Sequence, residues 1–308
     1  MNASIIICTR NRADSLAKTL AALERLAIPP GLHPEILVVD NGSTDHTAKV
    51  VRQHPAARIS IRGLSEPVPG QARARNAGLA ASSAELILCT DDDVVPAMDW
   101  LKLMTAPLAQ GKCEGVAGKV KLAEELRRPW MIGMHEGWLA AYNGHPQQLI
   151  GANMAFHRSV LEKVPKFDVE LGPGALGYID ETLFSWQMLE AGFGLKYIPE
   201  AFVVHYPEPS RLLRSSWLSA GRKHGASHAY LLHHWQHHTI PLPALRRCYV
   251  AAKLRLRRLV QPPPPLNGEG IAPWEMSYVA EIEKCRQYLK ERQRPRNYSK
   301  RGLRKLCH

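Results

Sequence analysis

Apolar residues in the first hundred positions come in short unbroken runs, separated by stretches where they recur every three or four residues. SIIIC (4–8), EILVVDNGS (35–43) with its turn-forming end, and ELILC (85–89) carry apolar side chains at successive positions rather than at every second one. ARISIRG (57–63) reads as a further strand. Between these runs, Leu16, Leu20, Leu23 and Ala27 lie at helical spacing within 13–27, and 44–51 reads as a second helix. Pro69-Gly70 opens a third through Arg73 and Ala77 to about Ala81. Strands apolar at every position are covered on both faces, so the alternation predicts an α/β fold with a mostly parallel sheet flanked by helices. Ligands in such sheets bind beyond the carboxyl ends of the strands. Thr9, Asp40 and Asp91–Asp93 all fall there.

The pattern then changes twice. Through 110–205 it is less regular: a glycine-rich loop, LGPGALGYIDE (171–181), leads into a helix over 180–192, and GLKYIPEAFVVHY (194–206) supplies one or two strands. Beyond Pro207 helices dominate, over 210–238, 244–260 and 274–292, with the linker QPPPPLNGEG at 261–270 and a basic tail. These shifts predict two domains, 1–206 and 207–308.

Charge sharpens that division. The 308 residues carry a net charge of +12, yet residues 1–205 hold 20 basic and 22 acidic side chains, against 20 and 6 in the remainder. All the excess positive charge therefore sits in the last third, which speaks of partners rather than fold. Six scattered cysteines, Cys8, Cys89, Cys113, Cys248, Cys285 and Cys307, suit reduced buried thiols of the cytosol better than a disulfide framework or zinc site. Ser4–Cys8 meets Thr9-Arg10-Asn11-Arg12 at once, unlike a secretory leader, and nothing reaches a membrane-spanning length of about 18 apolar residues. A cytoplasmic protein is expected.

The sharpest chemical signal is LILCTDDDVVP (86–96), which ends an apolar strand in three adjacent carboxylates. Like charges brought together and desolvated need a positive partner. One reading supplies a magnesium or manganese ion, which takes one or two protein carboxylates and completes its shell with water and substrate phosphates. The other is a solvated turn before a helix beginning at Asp99-Trp100.

CTRNRADSL after the first strand, VVDNGSTDHT after the second, then EPVPGQARARNAGL and CTDDDVVP together resemble the family 2 glycosyltransferases, an inverting group with the Rossmann-like GT-A fold. The resemblance runs from about Ser4 to His205. It implies a nucleoside-diphosphate sugar as donor, UDP-linked for preference, with Mn2+ or Mg2+ as cofactor. It places Thr9, Arg10, Asn11, Arg12, Asp40, Asn41, Arg75, Asp91 and Asp92 around the donor nucleotide, and Asp93, Asp91 and His205 at the metal. A carboxylate such as Asp40 accepts a base N–H, and an arginine offers fixed donors to phosphate. The family's base stands in an acidic pair at a helix start behind a glycine-rich loop, which here is Asp180-Glu181. The order is reversed from the usual Glu-Asp; aligning Leu183-Phe184 and Gln187 with the family helix puts Glu181 at the base position, and Asp180 is either the alternative base or a helix N-cap. GANMAFHRS (151–159) resembles the acceptor side, with Gly151 and Asn153 shaping the floor beneath the sugar. Trp130 and Trp138 read either as stacking platforms or as core.

For the extension, the resemblance and composition suggest a glycan or lipid-linked acceptor of the cell surface. In 244–260, Leu245, Tyr249, Ala252, Leu256 and Leu259 form one row, with Arg246, Lys253 and Arg257 beside it. That reads as a peripheral anchor on an anionic membrane's inner face, or as a helix packed on the catalytic domain with solvated arginines. No nucleic-acid-binding module accompanies the charge. HHWQHH (233–238) reads as a polar surface facing phosphorylated lipid rather than as a zinc site. A noncatalytic sugar-nucleotide-binding module and an aspartyl phosphatase are the rival readings.

Overall fold

The computed structural model describes residues 1–140 and 147–306. Its contacts divide the chain into two compact units: Met1–Arg127, His135–Val169 and Asp180–Tyr206 form the first, and Arg128–Met134, Glu170–Ile179 and Pro207–His308 the second.

The first unit is built on one eight-stranded sheet. In chain order the elements are β1 (Asn2–Thr9), α1 (Ala13–Leu23), β2 (His33–Asp40), α2 (Thr47–Gln53), β3 (Ser60–Ser65), α3 (Gln71–Ala81), β4 (Leu86–Asp91), β5 (Val94–Pro96), α4 (Trp100–Ala109) and β6 (Gly115–Leu122). They continue with α5 (Gly133–Trp138), whose first two residues belong to the second unit, and with β7 (Asn153–His157), α6 (Val160–Lys163), α7 (Asp180–Glu190) and β8 (Leu195–His205). Strand order is β3-β2-β1-β4-β7-β6-β8-β5. The N-terminal half is parallel, as its unbroken apolar runs predict. Beyond it the sheet is mixed, because β7 and β5 run antiparallel to their neighbours.

Alternate residues of the same strand feed opposite layers. Ile5, Ile7, Ile36, Val38, Leu86 and Leu88 join α1 and α4 in one core, which Leu16, Leu20, Trp100 and Met104 complete. Ile6, Leu37, Val39, Ile87 and Cys89 face the other, with Phe156, Phe167, Phe184 and Met188. A Cβ on Gly78 would stand 2.6 Å from Ile6, so glycine lets α3 lie against β1.

The second unit centres on α8 (Arg214–Leu231), α9 (Pro243–Val260) and α10 (Pro273–Glu291), with α8 continuing as a π-helical turn over Leu232–Gln236. Buried Glu275 ties the three together: Arg214 grips both its oxygens at 2.5 and 3.0 Å, and Arg258 reaches Oε1 at 2.6 Å. A Cβ on Gly225 would meet the Ala280 carbonyl at 2.1 Å, so the α8–α10 crossing depends on a missing side chain. No helix among the described residues is long and apolar enough to cross a membrane.

Three expectations need correction. The histidines of HHWQHH are not a surface patch, because His233 and His234 are buried. The Asn297 N–H donates to His234 Nδ1 at 3.1 Å, so Nε2 carries the proton toward Glu291 at 3.0 Å. His233 and His237 meet the carbonyls of Arg294 and Tyr298, which makes the cluster a clasp for the C-terminal segment. Among the cysteines, Cys248 is exposed; Cys89, Cys113 and Cys285 are buried, all are unpaired thiols where described, and Cys307 lies outside the described residues. Trp130 is neither core nor a free platform, since it is half-buried and packs edge-on against Trp217 at 6.5 Å.

Candidate active site

LILCTDDDVVP is one strand broken in the middle. β4 pairs with β1 and β7, β5 pairs with β8, and Asp92 and Asp93 form the break between them. Each carboxylate therefore meets different company. Asp91 accepts a hydrogen bond from Gln71 Nε2 at 3.2 Å, with Arg75 Nη2 3.9 Å away. Arg12 Nη1 reaches Asp92 at 3.2 Å and also bonds Asp93. Burial and the neighbouring Asp93 push Asp91 up. Burial raises Asp92 to about 7 despite Arg12. Burial would raise Asp93 too, but His205 and Arg12 beside it outweigh that and hold it down at about 2. Arg12 supplies part of the triplet's missing positive charge.

Arg75 supplies the rest and links the triplet to the acidic pair. It lies on α3, buried, with its guanidinium 5.6 Å over the Phe167 ring. Nη1 meets Asp180 Oδ2 at 2.5 Å. A Cβ on Gly151 would fall 2.3 Å from Arg75 Nη2, so this glycine makes room for the guanidinium. Asp180 and Glu181 open α7, where the helix dipole favours negative charge. Just before them Ile179 sits at φ +77°, which a β-branched residue avoids at a cost of about 1–3 kcal/mol. Asp180 is buried and committed to Arg75, whereas Glu181 keeps a small exposed part. Burial, followed by the adjacent Asp180, raises Glu181 to about 8, against the pull of Arg75.

On the other side of the triplet, Val94 pairs with His205 across β5 and β8. His205 Nδ1 faces the Leu139 carbonyl at 2.7 Å and so carries a proton. Its Nε2 stands 3.2 Å from Asp93 Oδ1, a buried oxygen without a hydrogen bond. In the neutral imidazole two acceptors face each other there, which calls for a proton or a cation. A ligating histidine whose other nitrogen is fixed by a carbonyl is a common metal arrangement. Asp93 and His205 are donors of the kind a hard divalent ion takes. Among the described residues no group of three or more His, Cys, Asp or Glu is arranged to hold a metal alone, so phosphate and water would complete the shell.

The remaining sequence candidates divide. Thr9 and Asp40 end adjacent strands in register, and the buried Thr9 Oγ1 has no hydrogen-bond partner. Asp40 Oδ1 accepts from the Ser43 N–H, shaping the turn after β2. Arg10 is exposed at the strand end. Asn11, at φ +53°, accepts from the Thr44 N–H at 2.7 Å and so splices two loops. Asn41 is spent inside the fold, donating to the carbonyls of Glu66 and Val68 and accepting from the Gly70 N–H. Asn153 is fully buried; it accepts from Trp100 Nε1 and donates to the carbonyls of Lys119 and Ala201. Gln71 and Phe167 went unnoticed in the sequence, since neither residue type marks a site without its neighbour.

The pattern described as "Glycosyl transferase family 2" matches residues 4–164. The pre-mycofactocin glycosyltransferase of Mycobacterium tuberculosis is 27% identical over 253 residues, covering 78% of this chain and 49% of that protein. Glycosyltransferase AglE of Haloferax volcanii is 33% identical over 119 residues, 38% of this chain and 39% of its own. The chain thus spans about half or less of the length of these curated relatives. Among solved structures, the mannosyltransferase PcManGT from Pyrobaculum calidifontis, in complex with GDP-Man and Mn2+, shares 20% identity with a TM-score of 0.56, covering 91% of this chain and 68% of its own. S. aureus TarS 1–349 in complex with UDP shares 15% with a TM-score of 0.54, covering 95% and 90%. The mixed sheet with its covering helices is the GT-A fold, and with a match across more than half its length the chain belongs to glycosyl transferase family 2.

Proposed function

We propose that this protein transfers a sugar, with inversion, from a nucleoside diphosphate to an acceptor hydroxyl. The observation that carries the reading is Arg75, whose one guanidinium bridges Asp180 at 2.5 Å and approaches Asp91 at 3.9 Å. It holds the acidic triplet and the acidic pair within one side chain's reach of each other. Because Asp180 is consumed by that ion pair, Glu181 is the group available as base. Glu181 takes the acceptor's hydroxyl proton; the acceptor oxygen bonds the anomeric carbon as the bond to the diphosphate oxygen breaks, and the diphosphate leaves with the electron pair. A divalent cation, when bound by Asp93, Asp91 and His205, would stabilise the charge on that leaving group. Manganese and a nucleotide sugar accompany PcManGT, and UDP accompanies TarS. The preferred donor here is a UDP-sugar, with Thr9 and Asp40 at the nucleotide, and the preferred acceptor a cell-surface glycan or its lipid-linked precursor.

Glu181→Gln tests this. Transfer from UDP-sugars should fall about 10²–10⁴-fold, while the thermal shift produced by UDP with manganese persists. Undiminished transfer would remove Glu181 from its role. Nucleotide binding by a wild-type protein that transfers nothing from a panel of donors would mark a noncatalytic module instead.

A further inference from the structure

α9 carries two apolar faces, and only one is used. Val250 and Leu254 are buried on the side packed against α10. On the opposite side, steps of four and three residues align Leu245, Tyr249, Ala252, Leu256 and Leu259, and Leu242 and Val260 extend the row. Leu245 is 65% exposed, Tyr249 60%, Leu256 64%, Leu259 79% and Val260 80%. A contiguous apolar surface of this kind on a folded protein marks an interaction site.

The charges around the row say what covers it. α9 holds six basic residues and no acid. Arg246 and Arg258 are paired inward with Glu281 and Glu275. Lys253 lies 4.6 Å over the Tyr249 ring and Arg257 4.8 Å over Trp274, both bordering the apolar row on one side, and Arg255 is exposed on its other side. We infer that this outward face docks on an anionic lipid bilayer, its leucines entering the acyl boundary while Lys253, Arg255 and Arg257 lie level with the phosphates. Long cationic side chains bury their stems beside apolar surface and keep their heads among polar groups, as this requires. A second copy of the same face would bring cation against cation. A bilayer bearing negative headgroups is apolar beneath and anionic above, which matches the row and both its margins.

The experiment is sedimentation of the whole chain with vesicles of phosphatidylcholine alone and of phosphatidylcholine with one quarter phosphatidylglycerol, at low and at high salt. Wild type should pellet with the anionic vesicles only, and less at about 1 M salt, where screening is nearly complete. Leu256→Asp/Leu259→Asp alters only exposed positions, so its melting temperature should hold while pelleting falls about tenfold or more. A polarity-sensitive fluorophore on exposed Cys248, in a Cys307→Ser background, should brighten and shift to the blue on anionic vesicles. Equal pelleting with both compositions, or undiminished binding of the double variant, overturns the inference. So does a wild-type dimer that the double variant dissociates without any vesicle binding, since the face would then join two copies. None of these readouts depends on sugar transfer.

Discussion

Arg75→Met removes the cation that holds the site's two acidic groups together. Methionine keeps an apolar stem against Phe167 and adds no new charge. What remains is Asp180, 1% exposed and deprived of the partner it met at 2.5 Å. Removing one member of a buried ion pair costs about 3–5 kcal/mol, chiefly from the uncompensated charge left behind. At about 2–4 °C per kcal/mol for a domain of this size, the melting temperature should fall by about 6–20 °C. Asp180→Asn in the same chain removes the orphaned charge, so the double variant should regain a good part of that loss, a coupling of about 1–3 kcal/mol. The assay is thermal unfolding of wild type, both single variants and the double variant, in one buffer near neutrality. An Arg75→Met protein melting within about 2 °C of wild type, or a double variant no more stable than it, would refute the view that this guanidinium neutralises Asp180.

The remaining predictions concern proton and packing. With Glu181 raised to about 8 in the free protein, kcat/KM should climb as pH rises through that value and then level; a flat or falling profile would exclude it as base. Because its folded carboxyl titrates above its ordinary value of 4.5, the protonated form favours the fold. That contribution is complete below pH 4.5 and gone above pH 8, so wild type should lose stability across that window relative to Glu181→Gln. In the second unit, Gly225→Ala places a methyl 2.1 Å from the Ala280 carbonyl and should destabilise by about 1–3 kcal/mol despite alanine's better helix propensity. Gly221→Ala, whose nearest neighbour would be 3.4 Å away, should be neutral or gain up to about 1 kcal/mol by thermal melt. Equal effects at the two positions would deny the close crossing.

What the sequence disclosed and what it hid have the same physical origin. β1, β2 and β4 were legible because each buries both faces, so their apolar residues run on at successive positions instead of alternating. The acidic triplet was legible because three carboxylates at a strand end demand compensation in any fold. Its compensation was not, since Arg12 is 80 residues from Asp92 and Arg75 is 105 from Asp180. His234 looked like surface because its partner Glu291 lies 57 residues on. The apolar row of α9 was visible, yet Val250 and Leu254 make the opposite side apolar as well, and only the packing on α10 shows which side turns outward.

Gly118 and Gly151 hold a last consequence. A Cβ on Gly118 would fall 2.3 Å from Asn153 Nδ2 and 2.1 Å from the Ala201 carbonyl, as one on Gly151 would strike Arg75. Neither glycine owns a side chain that can bind or react, yet each is the mould into which a larger polar side chain was cast. In a survey of every substitution along the chain, both should stand out among the least replaceable positions. A smaller residue at 153 should not rescue Gly118, whose Cβ would still meet the Ala201 carbonyl, so intolerance at a silent position can report the shape of its neighbours.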